Sequence, residues 1–318
     1  MESRRRFLRQ VTGAAALAAM DSLQANGSAT IGLGYGTHGF KSYPAGEAIK
    51  TIAGIGYDSV ELCLVPGWTE PTQCSSQERR ELRSAIARYR LAVPDLFDRI
   101  DILGDAGQHK AHIERIRVDA QFGHDVNAGV GGVFPCIGTR LGGNTKGFEA
   151  NRNLMLDRLH DWAEVGREMQ TVIAVKGHPP MIVDTSERTL WLVQMVNSPW
   201  IRVEFDYSHF QTGGEELGKT LDRLLPYIVV IALQDNKKNN SKPGWEHTLP
   251  GDGDTDHEEY YRRLVKFGYN GHTVVWVNDG LLDRPGFDAM TAAKHCYTKL
   301  APAMSRAGVR RPRYRNGA

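Results

Sequence analysis

The sequence predicts a single (β/α)8 barrel, and three observations support this fold class. Short runs of β-branched and aromatic residues recur along the 318-residue chain. Stretches with helical periodicity separate these runs, which calls for crossover connections and a parallel sheet. Eight strand-and-helix units over about 280 residues match the usual size of such a barrel. A doubly wound open sheet is the structural alternative.

Eight β-rich runs define the predicted strands in chain order. Between them lie stretches of helical period, most clearly 76–90, 151–170 and 257–267. Asp256 and Glu259 have the spacing of a capping box at the start of the third of these helices. The predicted strands are 30–37, 59–65, 93–98, 128–137, 171–178, 200–209, 228–235 and 272–279.

One motif favours the open sheet, because Gly34, Gly36 and Gly39 follow the GxGxxG pattern at the end of the first strand. A dinucleotide fingerprint needs a helix that opens directly on its glycines. Here the segment FKSYPAG intervenes and delays the predicted helix to about Glu47. We therefore interpret the motif as a glycine-rich loop and expect no nucleotide cofactor.

The two ends of the chain are predicted to lie outside the barrel. Residues 1–29 combine a basic stretch, SRRRFLRQ, with a short apolar run, which is the pattern of an export signal of the twin-arginine type. A disordered basic N-terminus is the alternative interpretation. We expect a periplasmic or cell-envelope protein, with residues 30–307 forming one barrel and residues 308–318 a flexible basic tail.

Charge and composition argue against several classes of function. The formal net charge is +2, but arginines are concentrated at the two ends, so the body of the chain is net negative. Such a body is a poor ligand for a nucleic-acid backbone. Beyond the N-terminal run, no window has the roughly 18 apolar residues of a membrane span. The four cysteines lack the spacing of a zinc site.

Strand alternation predicts which side chains point into the barrel. Val203 and Phe205 are apolar and should face the helices, so Glu204 and Asp206 should face inward. The same test applied to the other strands places further polar side chains near the carboxyl ends, where barrel enzymes hold their active sites. Any single one of them could instead be a satisfied polar group of the core. The candidate residues are Glu61, Lys176, His178, Glu204, Asp206, His209, Gln234 and Trp276.

Several motifs together resemble a known family. YDSVELCLVPGW, VKGHPP, FDYSHFQTGG, LQDNKK, LPGDGDTDH and GYNGHTVVWV occur in the order and spacing of the xylose-isomerase-like TIM barrels known as sugar phosphate isomerases/epimerases, and the resemblance covers about residues 30–300. It implies one divalent ion held by a Glu, an Asp, a His and a Glu on strands five to eight. Those positions hold Lys176, Asp206, Ala232 and Trp276, so the resemblance implies a degenerate metal site.

Two hypotheses would restore a working site. In the first, a relocated divalent ion, Mn, Co, Zn or Mg, binds Asp206, His209 and His178, with Glu61 as a further ligand. In the second, the ammonium of Lys176 replaces the ion and polarises a carbonyl, or forms a Schiff base with it, while Glu61 or His178 moves the proton. If Lys176 is catalytic, Lys176→Met should abolish activity with little change in melting temperature.

The predicted substrate is a small carbohydrate. Trp276, Gln234 and Glu204 are the predicted substrate-binding residues, and Trp276 is either a platform that stacks on a sugar or a plug that fills the space of the ion. We expect a free or glycosidic sugar, because no glycine-rich loop and helix start follow strands seven and eight. Isomerisation, epimerisation or elimination all fit, and oligomerisation stays open.

Two other classes of function compete with an enzyme of this kind. The first is a non-catalytic barrel that binds a sugar or a protein. The second is an AP-endonuclease-like nuclease, which is disfavoured because export and the negative body of the chain would separate the protein from DNA.

Overall fold

The computed structural model describes residues 29–41, 43–239, 244–312 and 314. Within them, eight parallel strands form a closed barrel, which confirms the predicted fold class and excludes the open sheet, since the first strand pairs with the last. The predicted export signal lies outside the described residues apart from Ala29. The barrel strands are β1 Ile31–Gly36, β2 Ser59–Cys63, β3 Asp95–Asp98, β4 Cys136–Arg140, β5 Ile173–Lys176, β6 Ile201–Phe205, β7 Ile228–Leu233 and β10 Gly271–Val275.

The helices cover the outside of the barrel and begin where the sequence has capping residues. The Ser75 hydroxyl and Glu78 form a reciprocal capping box, and the Asp256 carboxylate accepts from the backbone N–H of Glu259 at 2.9 Å. The α-helices are α1 Ala45–Ile55, α2 Ser76–Tyr89, α3 Ala106–Val126, α4 Phe148–Met169, α5 Ser186–Val196, α6 Tyr207–Thr212, α7 Leu217–Leu224, α8 His257–Lys266, α9 Asp279–Leu282 and α10 Ala289–Arg306.

The glycine motif at the end of β1 runs into a short 3-10 helix, Thr37–Phe40, and α1 begins only at Ala45. The motif therefore does not open an α-helix on its glycines. This geometry differs from that of a dinucleotide fingerprint.

The fourth strand begins later than the predicted 128–137. Gly129, Gly131 and Gly132 all have positive φ, so the backbone turns there and pairs only from Cys136 onward. A second difference follows β7, where β8 Asp235–Lys238 pairs antiparallel with β9 Trp245–Thr248. The sequence pattern does not indicate this hairpin, because the β-rich run 228–235 continues through Asp235 without a break.

The predicted flexible tail is docked in its described part, at the amino-terminal end of the barrel. Arg310 forms a parallel bridge with Thr30, and the Arg311 guanidinium donates to the Asp58 carboxylate at 2.8 Å. The Tyr314 ring stacks against His272 with centroids 6.1 Å apart. The sequence suggests a solvated tail because no acid lies near Arg311 along the chain. Its partner, Asp58, comes close only in the folded protein. No helix among the described residues is both long and apolar enough to cross a bilayer.

Candidate active site

The carboxyl ends of β5, β6 and β7 bring several predicted residues together around Asp206. This carboxylate is fully buried and caps α6. Its Oδ1 accepts from the Ser208 hydroxyl at 2.6 Å, and its Oδ2 accepts from the Gln234 amide at 2.7 Å. The His209 Nε2 lies 3.3 Å from the same Oδ2. Burial alone would raise the pKa of Asp206, but His209, Lys176 and Ser208 hold it well below its ordinary value, so Asp206 is ionised.

Lys176 ends β5 and brings a lysine ammonium close to this carboxylate. Its ammonium forms an ion pair with Glu204 and lies 3.7 Å from the Asp206 Oδ2. The side chain is only 3% exposed, and the ammonium also lies 5.1 Å from the ring centre of Phe97. Burial lowers the pKa of Lys176, but Glu204 and Asp206 outweigh burial and raise it. Lys176 is therefore a charged lysine fixed between two carboxyl groups.

His178 stands at the edge of this group and is half-buried. Its ring packs against that of His209 with centroids 3.8 Å apart. Its Nδ1 donates to the Pro179 carbonyl at 2.8 Å, which directs Nε2 away from that bond as the acceptor of a neutral ring. Burial first, and then His209 and Lys176, lower the pKa of His178 to about 3. His178 is thus a neutral imidazole beside a positive charge.

An acidic cluster lies one layer deeper in the barrel, below Lys176. Carboxylate oxygens of Glu61, Asp95 and Glu204 lie within 4.8 Å of one another, and all three side chains are buried. Asp95 accepts from the backbone N–H of Gly138 at 3.0 Å, and a Cβ at Gly138 would approach its other oxygen to 2.8 Å. The glycine therefore leaves the space that the carboxyl groups fill.

The acidic cluster holds more carboxyl groups than Lys176 can neutralise. Burial raises the pKa of Glu61 well above its ordinary value, and it also raises that of Asp95. For Glu204, burial outweighs the ion pair with Lys176 and raises the pKa to about 8. Such carboxyl groups retain protons or bind a cation. Glu61, predicted at the catalytic centre, thus lies in the interior rather than at the mouth.

The opposite side of the barrel mouth is apolar. Trp276 and Ala232 pack with Cys63, Val65 and Phe97 in a cluster separate from the main core. The Trp276 ring is 6% exposed, and the His38 ring stacks on it at 3.8 Å between centroids.

The stack continues outward from His38. The Trp68 ring stacks on the His38 ring with centroids 4.7 Å apart, so Trp276, His38 and Trp68 form an aromatic column. The His38 Nε2 lies 2.9 Å from the Asp279 carboxylate. Because the column covers Trp276, a sugar would reach its ring only after His38 moved.

The structure thus gathers Lys176, His178, Asp206, His209 and Gln234 at one side of the mouth. Glu204 joins them through its ion pair with Lys176, Glu61 lies beneath, and the Trp276 ring lies on the apolar side, 5.5 Å from the Lys176 ammonium. Among the described residues, Glu61, Asp95 and Glu204 form the group of three metal-type ligands whose atoms converge within 4.8 Å, and the predicted set of Asp206, His209 and His178 does not converge to that distance.

Three residues of the site were missed by the sequence analysis: Asp95, His38 and Arg140. Asp95 shares a strand face with Phe97, whose apolar ring the alternation test would direct toward the helices, so the test does not turn Asp95 inward. Arg140 lies two positions after Gly138, beyond the predicted end of its strand, so its inward direction was not considered. His38 was placed in the glycine-rich loop, where no periodicity indicates direction.

The chain matches a known family of barrels with this fold. Residues 49–295 match the family described as Xylose isomerase-like TIM barrel, and the chain belongs to it. The chain is 20% identical over 295 residues to an inosose dehydratase of Geobacillus kaustophilus (strain HTA426), a match that covers 84% of this chain and 87% of the relative.

Two solved structures share the fold at low sequence identity. One is the IOLI protein with a binding zinc atom, with a TM-score of 0.71 at 15% identity, covering 87% of this chain and 99% of the other. The second is the apo form of 3-keto-D-glucoside 4-epimerase, YcjR, from E. coli, with a TM-score of 0.67 at 14% identity, covering 86% and 100%. These likenesses establish the architecture.

Proposed function

We propose that the protein is an enzyme that moves a proton next to the carbonyl of a small carbohydrate, as in isomerisation, epimerisation or dehydration. The observation that carries the proposal is the group formed by Lys176, Asp206 and His178 at the carboxyl ends of neighbouring strands, where barrel enzymes work. The names of the relatives, a dehydratase and an epimerase, agree with reactions of this kind.

Each residue of this group then has a proposed role. The Lys176 ammonium, oriented by Asp206 and Glu204, polarises the carbonyl oxygen of the substrate. The neutral His178 removes the proton from the adjacent carbon through Nε2, and the C–H electron pair moves into an enediolate whose negative oxygen faces Lys176. Return of the proton from His178 to the other carbon, with transfer of the hydroxyl proton to the former carbonyl oxygen, isomerises the sugar, and return to the opposite face of the same carbon epimerises it. Departure of a β-hydroxyl as water, with the proton that His178 has taken up, dehydrates it.

Proton transfer is assigned to His178 rather than to Glu61. The Glu61 carboxyl belongs to the acidic cluster beneath Lys176, so a substrate at the mouth would meet Lys176 and His178 before it. Gln234 donates to Asp206 and accepts from the Asn278 amide at 3.3 Å, which suits it to hold the carboxylate in place.

The proposal does not include an ion at the position implied by the family resemblance. Of the four positions, Asp206 offers an anionic ligand, Lys176 carries a positive charge, and Ala232 and Trp276 belong to an apolar cluster. A divalent cation needs several anionic or imidazole donors that converge on it. These residues do not fit such an ion, and no step is assigned to one.

Metal analysis tests this part of the proposal. We expect elemental mass spectrometry of the purified protein to find no stoichiometric divalent metal after dialysis against manganese, cobalt, zinc and magnesium. One equivalent that is lost in Asp206→Ala would contradict the expectation and support a relocated site with His209 and His178. One equivalent that is lost in Glu61→Gln but kept in Asp206→Ala would contradict it and place the ion in the acidic cluster.

A direct test of the chemistry is deuterium exchange. Keto sugars incubated with the protein in D2O should incorporate deuterium next to the carbonyl, as measured by NMR, and His178→Gln should abolish this exchange. Binding of a sugar without exchange, in a panel of keto sugars, would contradict an enzymatic role.

A second candidate function is a barrel that binds a sugar without transforming it. The covered Trp276 ring favours it, because an occupied mouth leaves less room for a reacting substrate. The deuterium exchange experiment distinguishes the two functions, because only the enzyme would exchange the proton next to the carbonyl.

The proposal extends to location. The stretch SRRRFL in residues 3–8 supports export by a twin-arginine pathway. Replacing Arg4, Arg5 and Arg6 with lysines should retain the full-length precursor inside cells that process the native chain, and unchanged processing would contradict the assignment.

A further inference from the structure

Arg140 is a cation of the mouth that the proposed chemistry leaves unused. It ends β4, beside Lys176 in the register of β4 and β5. Gly138, two positions earlier, faces the acidic cluster inside the barrel, so strand alternation directs Arg140 into the mouth as well. The side chain is half-buried. Within the described part of the chain, its guanidinium has neither a hydrogen bond nor an ion pair.

The surroundings of Arg140 are predominantly positive. Burial first, and then Arg99, lower the pKa of Arg140, and Arg140 is also among the charges that lower the pKa of His178. The acid near Arg140 at the mouth is Asp279. Its carboxylate is already engaged by His38 and by Arg99, each at 2.9 Å.

Lys176 is adjacent to Arg140, but unlike Arg140 it has anionic partners. Its ammonium pairs with Glu204 and Asp206, so its charge is balanced inside the protein. The charge of Arg140 has no such balance and is partly removed from water, which is unfavourable unless an anion binds there. A guanidinium presents a planar fork of donors that matches the oxygens of a carboxylate or a phosphate.

We propose that the substrate of this site carries an anionic group, a carboxylate or a phosphate, and that Arg140 binds it. The inference rests on the proposed function, since it orients the same sugar. An anion held by Arg140 at the end of β4 places the neighbouring carbon atoms over the ends of β5, where Lys176 and His178 lie. The substrate class is therefore a sugar acid or a sugar phosphate rather than the neutral sugar that the sequence analysis favoured.

The anion site is tested first without a sugar. Thermal unfolding of the wild-type protein is followed in sodium sulfate and in sodium phosphate against sodium chloride at equal ionic strength. We expect both divalent anions to raise the melting temperature of the wild type and of a control, Arg80→Met, whose guanidinium bonds to Gln77 on the exposed face of α2. The gain should shrink in Arg140→Met to the general stabilisation that these excluded salts give to any protein, because only the part due to binding depends on Arg140. An equal gain in Arg140→Met would overturn the assignment.

The substrate class is tested by calorimetry with matched sugars: D-glucose, D-glucuronate and D-glucose 6-phosphate. We expect an anionic sugar to bind at least about tenfold more tightly than glucose, and Arg140→Met to remove this preference. A preference for glucuronate identifies a carboxylate as the anionic group, and a preference for glucose 6-phosphate identifies a phosphate.

The remaining outcomes separate the inference from the proposed function. If glucose binds as tightly as both anionic sugars and Arg140→Met changes nothing, the inference is wrong while the proposed function stands. If sulfate and phosphate require Arg140 but none of the sugars binds, an anion site is supported and the carbohydrate function is contradicted. If neither anions nor sugars bind, both fail.

Discussion

The two sides of the barrel mouth differ in polarity. On the side of β4 to β6, ionisable side chains converge: Arg140, Lys176, His178, Asp206 and His209. On the side of β2, β3, β7 and β10, apolar side chains converge around Trp276 and are covered by the His38 column: Cys63, Val65, Phe97 and Ala232.

This difference shows how one fold can confine charge to part of its mouth. The apolar side lowers the local polarity next to Lys176, whose ammonium lies 5.5 Å from the Trp276 ring centre. In such surroundings, attraction between unlike charges is stronger than in water. The ion pairs of Lys176 are therefore structural elements as well as candidate catalytic groups.

The largest expected effect comes from removing the central cation. Lys176→Met should abolish deuterium exchange and lower the free energy of unfolding by about 3–5 kcal/mol, because the ionised Asp206 would remain buried without this cation and Glu204 would lose its contact with the ammonium. The structure thus revises the expectation of an unchanged melting temperature. Urea denaturation of Lys176→Met against Arg140→Met measures the contrast, since Arg140 has no partner to strand among the described residues. Similar losses of unfolding free energy in the two variants would contradict a stabilising role for the ion pairs of Lys176.

Substitution on the apolar side should cost less. Trp276→Leu keeps an apolar side chain but leaves space beside His38 and Phe97, and we expect a loss of about 2 kcal/mol in unfolding free energy. The variant also decides the role of the indole. Weaker sugar binding, measured by calorimetry, would indicate a platform, whereas unchanged or tighter binding would indicate a plug. An unchanged stability would contradict the tight packing of this side.

The smallest effect concerns pH. The pKa of Glu204 is raised in the folded protein to about 8, so the folded state retains a proton that the unfolded chain has lost. Its contribution to stability is complete below the ordinary glutamate pKa and disappears as the pH rises through about 8. We expect the free energy of unfolding to fall by about 1 kcal/mol between pH 7 and 9.

Glu204→Gln should flatten this pH dependence, because an amide does not titrate. Glu187→Gln, at an exposed position on α5, serves as the matched control and should keep the wild-type slope. Chemical denaturation at several pH values provides the measurement. A slope of the same size in Glu204→Gln would assign the effect to Glu61 or Asp95 instead.

The sequence by itself determined the architecture and most of the polar side of the mouth. Strand alternation depends only on neighbouring residues, since successive side chains point to opposite faces. It therefore placed Glu61, Lys176, Glu204 and Asp206 inside the barrel before any contact was known. The helices predicted at 76–90, 151–170 and 257–267 match α2, α4 and α8, because periodicity and capping residues are local features.

Only the tertiary structure decided which of these groups meet and which charges remain unbalanced. The partnership of Lys176 with Glu204, the cover of His38 over Trp276, and the docking of Arg311 on Asp58 each join residues from separate elements. Such contacts depend on barrel closure, register and helix placement, which no local pattern encodes. For the same reason the sequence could suggest an inward lysine, while the isolation of Arg140 beside it required the folded chain.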